Sequence, residues 1–368
     1  MSNDISYYLG FSQAPGIGPL FFDSLVSHFG SAEKAYQARE QEYIPLLGST
    51  RTQKFISFRS QFDAERCLKL YRNNSITILH RTHPSFPQAL LDLSDTPICL
   101  YIKGNLDAYD FNKDAFFAIV GTRKASNYGA QVARKFGSQL SSAHFVIVSG
   151  MALGVDASAH WGALNQGNRT IAVLGCGVNI VYPWANRKLY AEIIQHDGLV
   201  MSEFPPDMQT KKGMFVARNR LVSGLSKGVL VVEGTKDSGS LITARYAAEQ
   251  GKDVFAVPAP ITSELSQAPN LLIQQGAKLV TSVQDILDEY DMHVSAQKSA
   301  AMKKLSPSED ALVRLLSQEA FTPDELARTT QQPIHEILIL LSNLELQGII
   351  TKNDDGTYVI DVESGQFS

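Results

Sequence analysis

The sequence predicts an α/β protein: a doubly wound, Rossmann-like parallel sheet, preceded by a small helical domain and followed by a winged-helix-like module. Three observations carry that prediction. Short apolar runs alternate with amphipathic stretches between residues 75 and 290, and most of those runs end on glycine. Strand-like texture is absent from the first 74 residues and returns only near the end of the chain. The composition agrees: of 368 residues, 44% are hydrophobic and 19% charged. That is enough apolar surface for two or three packed domains and too much for a disordered or collagen-like chain.

The elements follow in order. Over 1–74, apolar residues have helical spacing around Leu9 and again at Leu20, Phe21, Leu25 and Phe29, with Pro15-Gly16-Ile17-Gly18 between. This reads as short helices joined by a tight turn, a SAM-like or helix-hairpin-helix-like domain. Over 75–290, strands are predicted at 116–120, 145–148, 170–174, 199–201, 229–232 and 253–257, each rich in Val, Ile or Phe. Gly121, Gly150, Gly175 and Gly234 lie at carboxyl ends of these runs, and helices are expected at 128–142, 156–165 and 241–250. Such alternation of apolar strands and amphipathic helices implies a parallel sheet covered on both faces. Candidates at 76–79 and 98–102 extend it. Residues 291–304 form a polar linker to a module at 305–368. There, Ser306-Pro307-Ser308-Glu309 and Thr322-Pro323-Asp324-Glu325 have the form of capping boxes. A third helix is expected at 334–346, then a hairpin pairing Ile349-Ile350-Thr351 with Tyr358-Val359-Ile360.

Charge and cysteine usage narrow the function. Lys and Arg number 33 against 37 acids, a net charge of −4, so any attraction to nucleic acid must come from local clusters. Cys67, Cys99 and Cys176 lack metal-ligand spacing and give no disulfide framework. No basic and apolar leader opens the sequence, and no uncharged apolar run approaches the ~20 residues of a membrane span. A soluble, cytoplasmic protein is expected.

In an open parallel sheet ligands gather at the carboxyl ends of the strands, so the strand-end glycines mark the rim to inspect. Gly121-Thr122-Arg123-Lys124-Ala125-Ser126 joins a strand to a helix and offers N–H groups, a hydroxyl and a guanidinium to a phosphate. The bland alternative is a tight turn with a solvated Arg123. Asp156 and His160, one helical turn apart, read mainly as structural, because no further ligand has metal spacing. Glu233, at a strand end before Gly234-Thr235-Lys236-Asp237-Ser238-Gly239-Ser240, is either a ribose or proton partner or a support for its neighbouring loop. No dinucleotide fingerprint or Walker loop is present, so no cofactor is expected.

The local charges point to nucleic acid. Residues 121–135 hold Arg123, Lys124, Arg134 and Lys135 and no acid; residues 207–227 hold Lys211, Lys212, Arg218, Arg220 and Lys227 against one acid. Phe215 and Asn219 fall within the second cluster. Bases, an amide and an aromatic together suit single-stranded nucleic acid. The bland alternative is a solvated helix face with Phe215 in the core beside Leu221 and Val222.

Together these loops resemble the DNA-processing protein A (DprA/Smf) family. The resemblance rests on Val120-Gly121-Thr122-Arg123, Ser149-Gly150-Met151-Ala152-Leu153-Gly154-Val155-Asp156 through His160, Tyr182-Pro183, Ser202-Glu203-Phe204-Pro205-Pro206, Phe215 through Arg218-Asn219-Arg220, and Ser238-Gly239-Ser240-Leu241-Ile242-Thr243-Ala244. They occur in family order across about 75 to 290. The resemblance implies a non-enzymatic protein that binds single-stranded DNA. It also implies loading of a RecA-type recombinase during natural transformation and a homodimer through the Rossmann-like domain. By motif it implies a DNA site of Gly121, Thr122, Arg123, Lys212, Phe215, Arg218, Asn219 and Arg220. Thr122 stands where serine is usual, and Gly234 where alanine is common.

The rival reading is an enzyme resembling nucleotide phosphoribohydrolases, in which Arg123 and Glu233 flank a ribose phosphate; their Pro-Gly-Gly-x-Gly-Thr signature is absent at Gly234. The C-terminal module is not expected to read DNA. Residues 300–368 carry five bases and eleven acids, and 334–346 has Glu336 and Glu345 with no Lys or Arg.

Overall fold

A computed structural model describes residues 4–211, 213–290, 306–316, 319–346, 349–353 and 356–360. Residues 1–294 form one unit and 295–368 a second.

The first unit is organised by nine strands: β1 (Thr77–His80), β2 (Cys99–Gly104), β3 (Ala115–Val120), β4 (Phe145–Ser149), β5 (Thr170–Val173), β6 (Leu199–Ser202), β7 (Gly228–Val231), β8 (Asp253–Ala256) and β9 (Lys278–Leu279). Their order is β1-β2-β6-β5-β4-β3-β7-β8-β9. From β6 to β9 every neighbouring pair is parallel. β2 runs antiparallel to β6, and β1 antiparallel to β2. The two early strand candidates thus extend the sheet, as expected, but as an antiparallel edge.

Alternation along the strands divides the core between two faces. Phe116, Ala118 and Val120 of β3 join a layer with Leu221, Val222 and Leu225 of the helix Met214–Leu225 and Ala244 and Ala247 of the helix Gly239–Glu249. Phe117 and Ile119 face the other way, onto Ala133, Phe136 and Leu140 of the helix Asn127–Ser142 and onto Ala159 and Ala163 of the helix Val155–Asn165. Helices therefore cover both faces, the doubly wound arrangement the sequence predicts. The chain leaves β3 toward β4 on one side and returns as β7 on the other. This reversal is a topological switch point, where the crossover helices diverge and open a crevice.

Six helices precede the sheet: Asp4–Gln13, Pro19–Phe29, Ala32–Gln37, Glu40–Leu47, Ser49–Gln61 and Ala64–Asn73. Phe11 and Phe55 stack with ring centres 5.3 Å apart at the middle of their core. The same core continues into the sheet, with the Ser12 hydroxyl and the Tyr101 hydroxyl of β2 2.7 Å apart and Tyr8 stacked on His80 of β1. The Pro15-Gly16 turn is present, with Gly16 at φ 80°.

The second unit has the helices Pro307–Leu316, Pro323–Thr330 and Ile334–Leu346, then antiparallel strands β10 (Ile350–Lys352) and β11 (Tyr358–Ile360). Thr322 and Glu325 form the expected capping box. Ile337, Leu341 and Leu344 meet Leu312, Val313 and Leu326 in a separate core. This is a winged-helix arrangement.

Candidate nucleic-acid interface

The crevice at the switch point is a cleft of about 400 Å³. It lies beyond the carboxyl ends of β3, β4 and β7 and is lined by the loop 121–124, Gly150, Ala152, Asp156, one face of the helix Met214–Leu225 and residues 235–243. The helices Asn127–Ser142, Val155–Asn165 and Gly239–Glu249 begin at these loops, so three positive dipole ends converge there. Ser126 caps the first of them through Gly129 N, and Ser238 caps the third through Ser240 N.

The loop after β3 is held by its neighbours on both sides. Thr122 N donates to Glu233 O at 2.7 Å, and Val155 N donates to Thr122 O. Lys124 N donates to Thr122 Oγ1 at 3.2 Å, curling the backbone. Gly121 is required by close approach: a Cβ there would lie 2.6 Å from Val155 Cγ2 and 2.8 Å from Glu233 O. With the backbone fixed, Arg123 and Lys124 project into solvent. Neither has an ion-pair partner among the described residues.

Arg123 reaches across the cleft. Its Cζ lies 5.0 Å from the centre of the Phe215 ring. Phe215 is half-buried, packs against Gly175, and belongs to none of the core layers. The Tyr182 ring lies 5.4 Å away from it. The structure thus decides between the two readings of Phe215: it is a rim residue in an aromatic and cationic stack, while Leu221 and Val222 are core. Tyr182, which its family motif alone did not single out, is brought beside the candidate site through this ring contact. An Arg between a phosphate-accessible loop and an aromatic face suits both charge pairing and base stacking.

The helix Met214–Leu225 sorts the remaining candidates by phase. Phe215, Arg218, Asn219 and Val222 share the cleft face, at i, i+3, i+4 and i+7. Asn219 keeps its amide at the surface, with Nδ2 3.4 Å from Gly239 O. Arg218 is buried: Nη1 donates to Gly150 O at 2.6 Å and also to Val173 O. It forms the floor of the cleft, and a Cβ on Gly150 would collide with its guanidinium. Asp156, also buried, accepts from Gly150 N and Ala152 N. Burial raises its carboxyl, and the positive charge of Arg218 opposes the rise.

Arg220 corrects the expected set. It lies about 140° round the helix from Phe215, outside the cleft lining. Its guanidinium pairs with Glu203, and Nε lies 3.0 Å from Asp95 Oδ2. Burial raises the Glu203 carboxyl and Arg220 counters it. This is an internal ion-pair cluster that ties the helix to the Glu203-Phe204-Pro205 segment. Lys212 lies outside the described residues; Lys211 beside it is exposed.

The two structural readings stand. Glu233 is buried, with Oε2 accepting from Ser126 N at 2.9 Å and Oε1 accepting from Ser126 Oγ at 2.6 Å. Both oxygens hold the loop, and Glu233 does not line the cleft, which leaves the phosphoribohydrolase reading without its carboxylate. His160 does not bond Asp156. Its Nδ1 lies 2.8 Å from Thr170 Oγ1, and that hydroxyl donates to Ile147 O, so Nδ1 carries the proton. Burial holds this imidazole down at about 3. Among the described residues no cluster of His, Cys, Asp and Glu could hold a metal, and no helix is long and apolar enough to cross a membrane.

Comparison with known proteins places this geometry. The family model for DNA recombination-mediator protein A matches residues 77–291, and that for the DprA winged helix domain matches 296–356. Protein Smf of Escherichia coli is 36% identical over 310 residues, covering 82% of this chain and 81% of the relative. DNA processing protein DprA of Streptococcus pneumoniae is 47% identical over 206 residues, 56% of this chain and 71% of the relative. The X-ray structure of the S. pneumoniae DprA superposes with a TM-score of 0.68 over 80% of this chain and 99% of that one, at 36% identity. The Helicobacter pylori DprA structure, described by its single-stranded DNA binding mode, gives 0.53 over 59% and 97%, at 32% identity. The chain belongs to the DprA/Smf family of DNA recombination mediators.

Proposed function

We propose that the switch-point cleft binds single-stranded DNA and that the protein delivers the strand to a RecA-type recombinase during natural transformation or related recombination, without a catalytic step of its own. The observation that carries this reading is the Arg123–Phe215 stack at the mouth of a cleft ringed by three helix starts. Arg123 and Lys124 meet phosphate; Phe215 offers its face to a base; Gly121, Thr122 and Asn219 supply backbone and side-chain hydrogen bonds; Lys212, outside the described residues, keeps the DNA-binding role its motif implies. Arg218 acts from below by holding the Gly150 loop in place. A half-buried ring beneath an exposed guanidinium favours unstacked bases over a duplex, whose bases are hidden from such contacts. The single-strand binding named for the H. pylori relative supports the assignment. The active form is a cytoplasmic homodimer through the sheet domain.

The test is a titration against single- and double-stranded oligonucleotides at several salt concentrations. Single-strand preference with a salt slope reflecting a few phosphate contacts supports the reading, and equal or stronger duplex binding overturns it. Stimulation of strand exchange by a RecA-type protein on the same oligonucleotides tests the delivery step.

A further inference from the structure

Beyond Tyr182 the chain carries a second aromatic group that the cleft does not use. Trp184 is 69% exposed, an unusual state for so large an apolar side chain. It opens the short turn Trp184–Asn186, which leads into the helix Arg187–Gln195. At most about 7 Å of chain separates it from Tyr182, whose ring meets Phe215. The turn is fastened to the cleft's own wall: Asn186 is buried, and its Nδ2 donates to Met151 O at 2.9 Å and to Ala152 O at 3.2 Å. The indole therefore stands on a rigid support beside the rim.

Its surroundings are cationic. Arg187 Cζ lies 5.7 Å from the centre of the Trp184 ring, and Lys188 follows. Both are exposed, neither has an ion-pair partner among the described residues, and both occupy the first turn of a helix, where the dipole disfavours positive charge. From residue 157 to 191 the sequence has no acid. The pattern is that of Arg123 on Phe215, repeated beside the rim: a guanidinium over an aromatic ring.

We infer that Trp184 and Arg187 form a second stacking position for single-stranded DNA, continuing the strand's path out of the cleft past Tyr182. The inference rests on the cleft being the DNA site. A base stacks on the indole while Arg187 meets the adjoining phosphate. The cleft sets where the strand enters, and this shelf lengthens the segment that is held.

The chain has two tryptophans, Trp161 and Trp184, so a Trp161→Phe protein reports on Trp184 alone. It is titrated with an oligothymidylate of about 20 nucleotides, longer than one binding site, by fluorescence and by gel retardation together. Quenching of Trp184 emission with the same midpoint as retardation is expected. Trp184→Ala should weaken binding about 5- to 150-fold, Trp184→Phe should recover most of it, and Arg187→Ala should lower the salt slope by about one. Retardation with unquenched emission, or with unchanged affinity in Trp184→Ala, overturns the shelf and leaves the cleft standing. Quenching and affinity that survive in Arg123→Ala would overturn the cleft as the entry point, and the inference with it. Absence of any single-strand binding by the unsubstituted protein overturns both.

Discussion

The guanidinium of Arg123 lies over the ring of Phe215, 5.0 Å from Cζ to ring centre. This contact joins the loop after β3 to the helix Met214–Leu225 across the mouth of the switch-point cleft, and makes one surface from two segments far apart in sequence. It also gives Arg123 two roles that substitution can separate, because the charge survives in lysine and the flat stacking plane does not.

Arg123→Ala is expected to weaken single-strand binding across sequences and to lower the salt slope by about one unit. Arg123→Lys should keep the slope and lose part of the affinity. The side chain is exposed, so folding stability should stay within the ordinary range of surface changes, about ±0.5 kcal/mol. Titrations at three or more salt concentrations, with thermal melting on the same samples, check all three statements; an Arg123→Ala slope equal to the original would remove Arg123 from the phosphate contacts.

Phe215→Ala separates rim from core. A fully buried Phe truncated to Ala costs ~3–5 kcal/mol of stability. Phe215 is half-buried outside the core layers, so a loss well under ~3 kcal/mol is expected, against ~1–3 kcal/mol of binding to single-stranded DNA. Denaturant melts and DNA titrations on one preparation compare the two numbers directly. A stability loss at the core value with little change in binding would return Phe215 to the interior.

His160 gives the fold an acid limit. Burial holds its imidazole down at about 3, against about 6.5 in an unfolded chain. The unfolded state takes up the proton first, so this contribution is fully present above about pH 6.5 and is lost as pH falls toward 3, by up to ~5 kcal/mol. In His160→Leu, melting temperature should decline less between neutral and mildly acid pH than in the unsubstituted protein. Equal declines would show that other groups set the acid limb.

The C-terminal unit should contribute little to DNA affinity. Its five bases against eleven acids leave a net negative charge over 300–368, and the helix Ile334–Leu346 carries no Lys or Arg. A chain ending at Val294, the boundary of the first unit, should bind single-stranded DNA with less than a tenfold change, under ~1.4 kcal/mol. A larger loss at constant fold would give the module a direct part in binding.

By itself the sequence determined the α/β class, the six core strands, three of the helices covering them and the rim that holds the candidate site. These follow from local pattern: apolar runs bounded by glycine, helical spacing between them, and the rule that ligands gather at strand carboxyl ends. Helical phase also carried the sorting of Arg218 and Arg220, since Arg220 points about 140° away from Phe215 on any regular helix; charge counting alone overlooked it. Other features were decided only by the tertiary structure. The antiparallel direction of β1 and β2 depends on pairing with β6, which leaves no mark on a strand's own side chains. The two residues of β9 are too few for a periodic signal. Whether Phe215 was core or rim, and whether Glu233 served chemistry or held a loop, turned on partners remote in the chain: Arg123 and Tyr182 for the first, Ser126 for the second. A residue's type and spacing set what it is able to do, but its partners across the fold set what it does, because burial and hydrogen bonding depend on neighbours that only chain folding brings near.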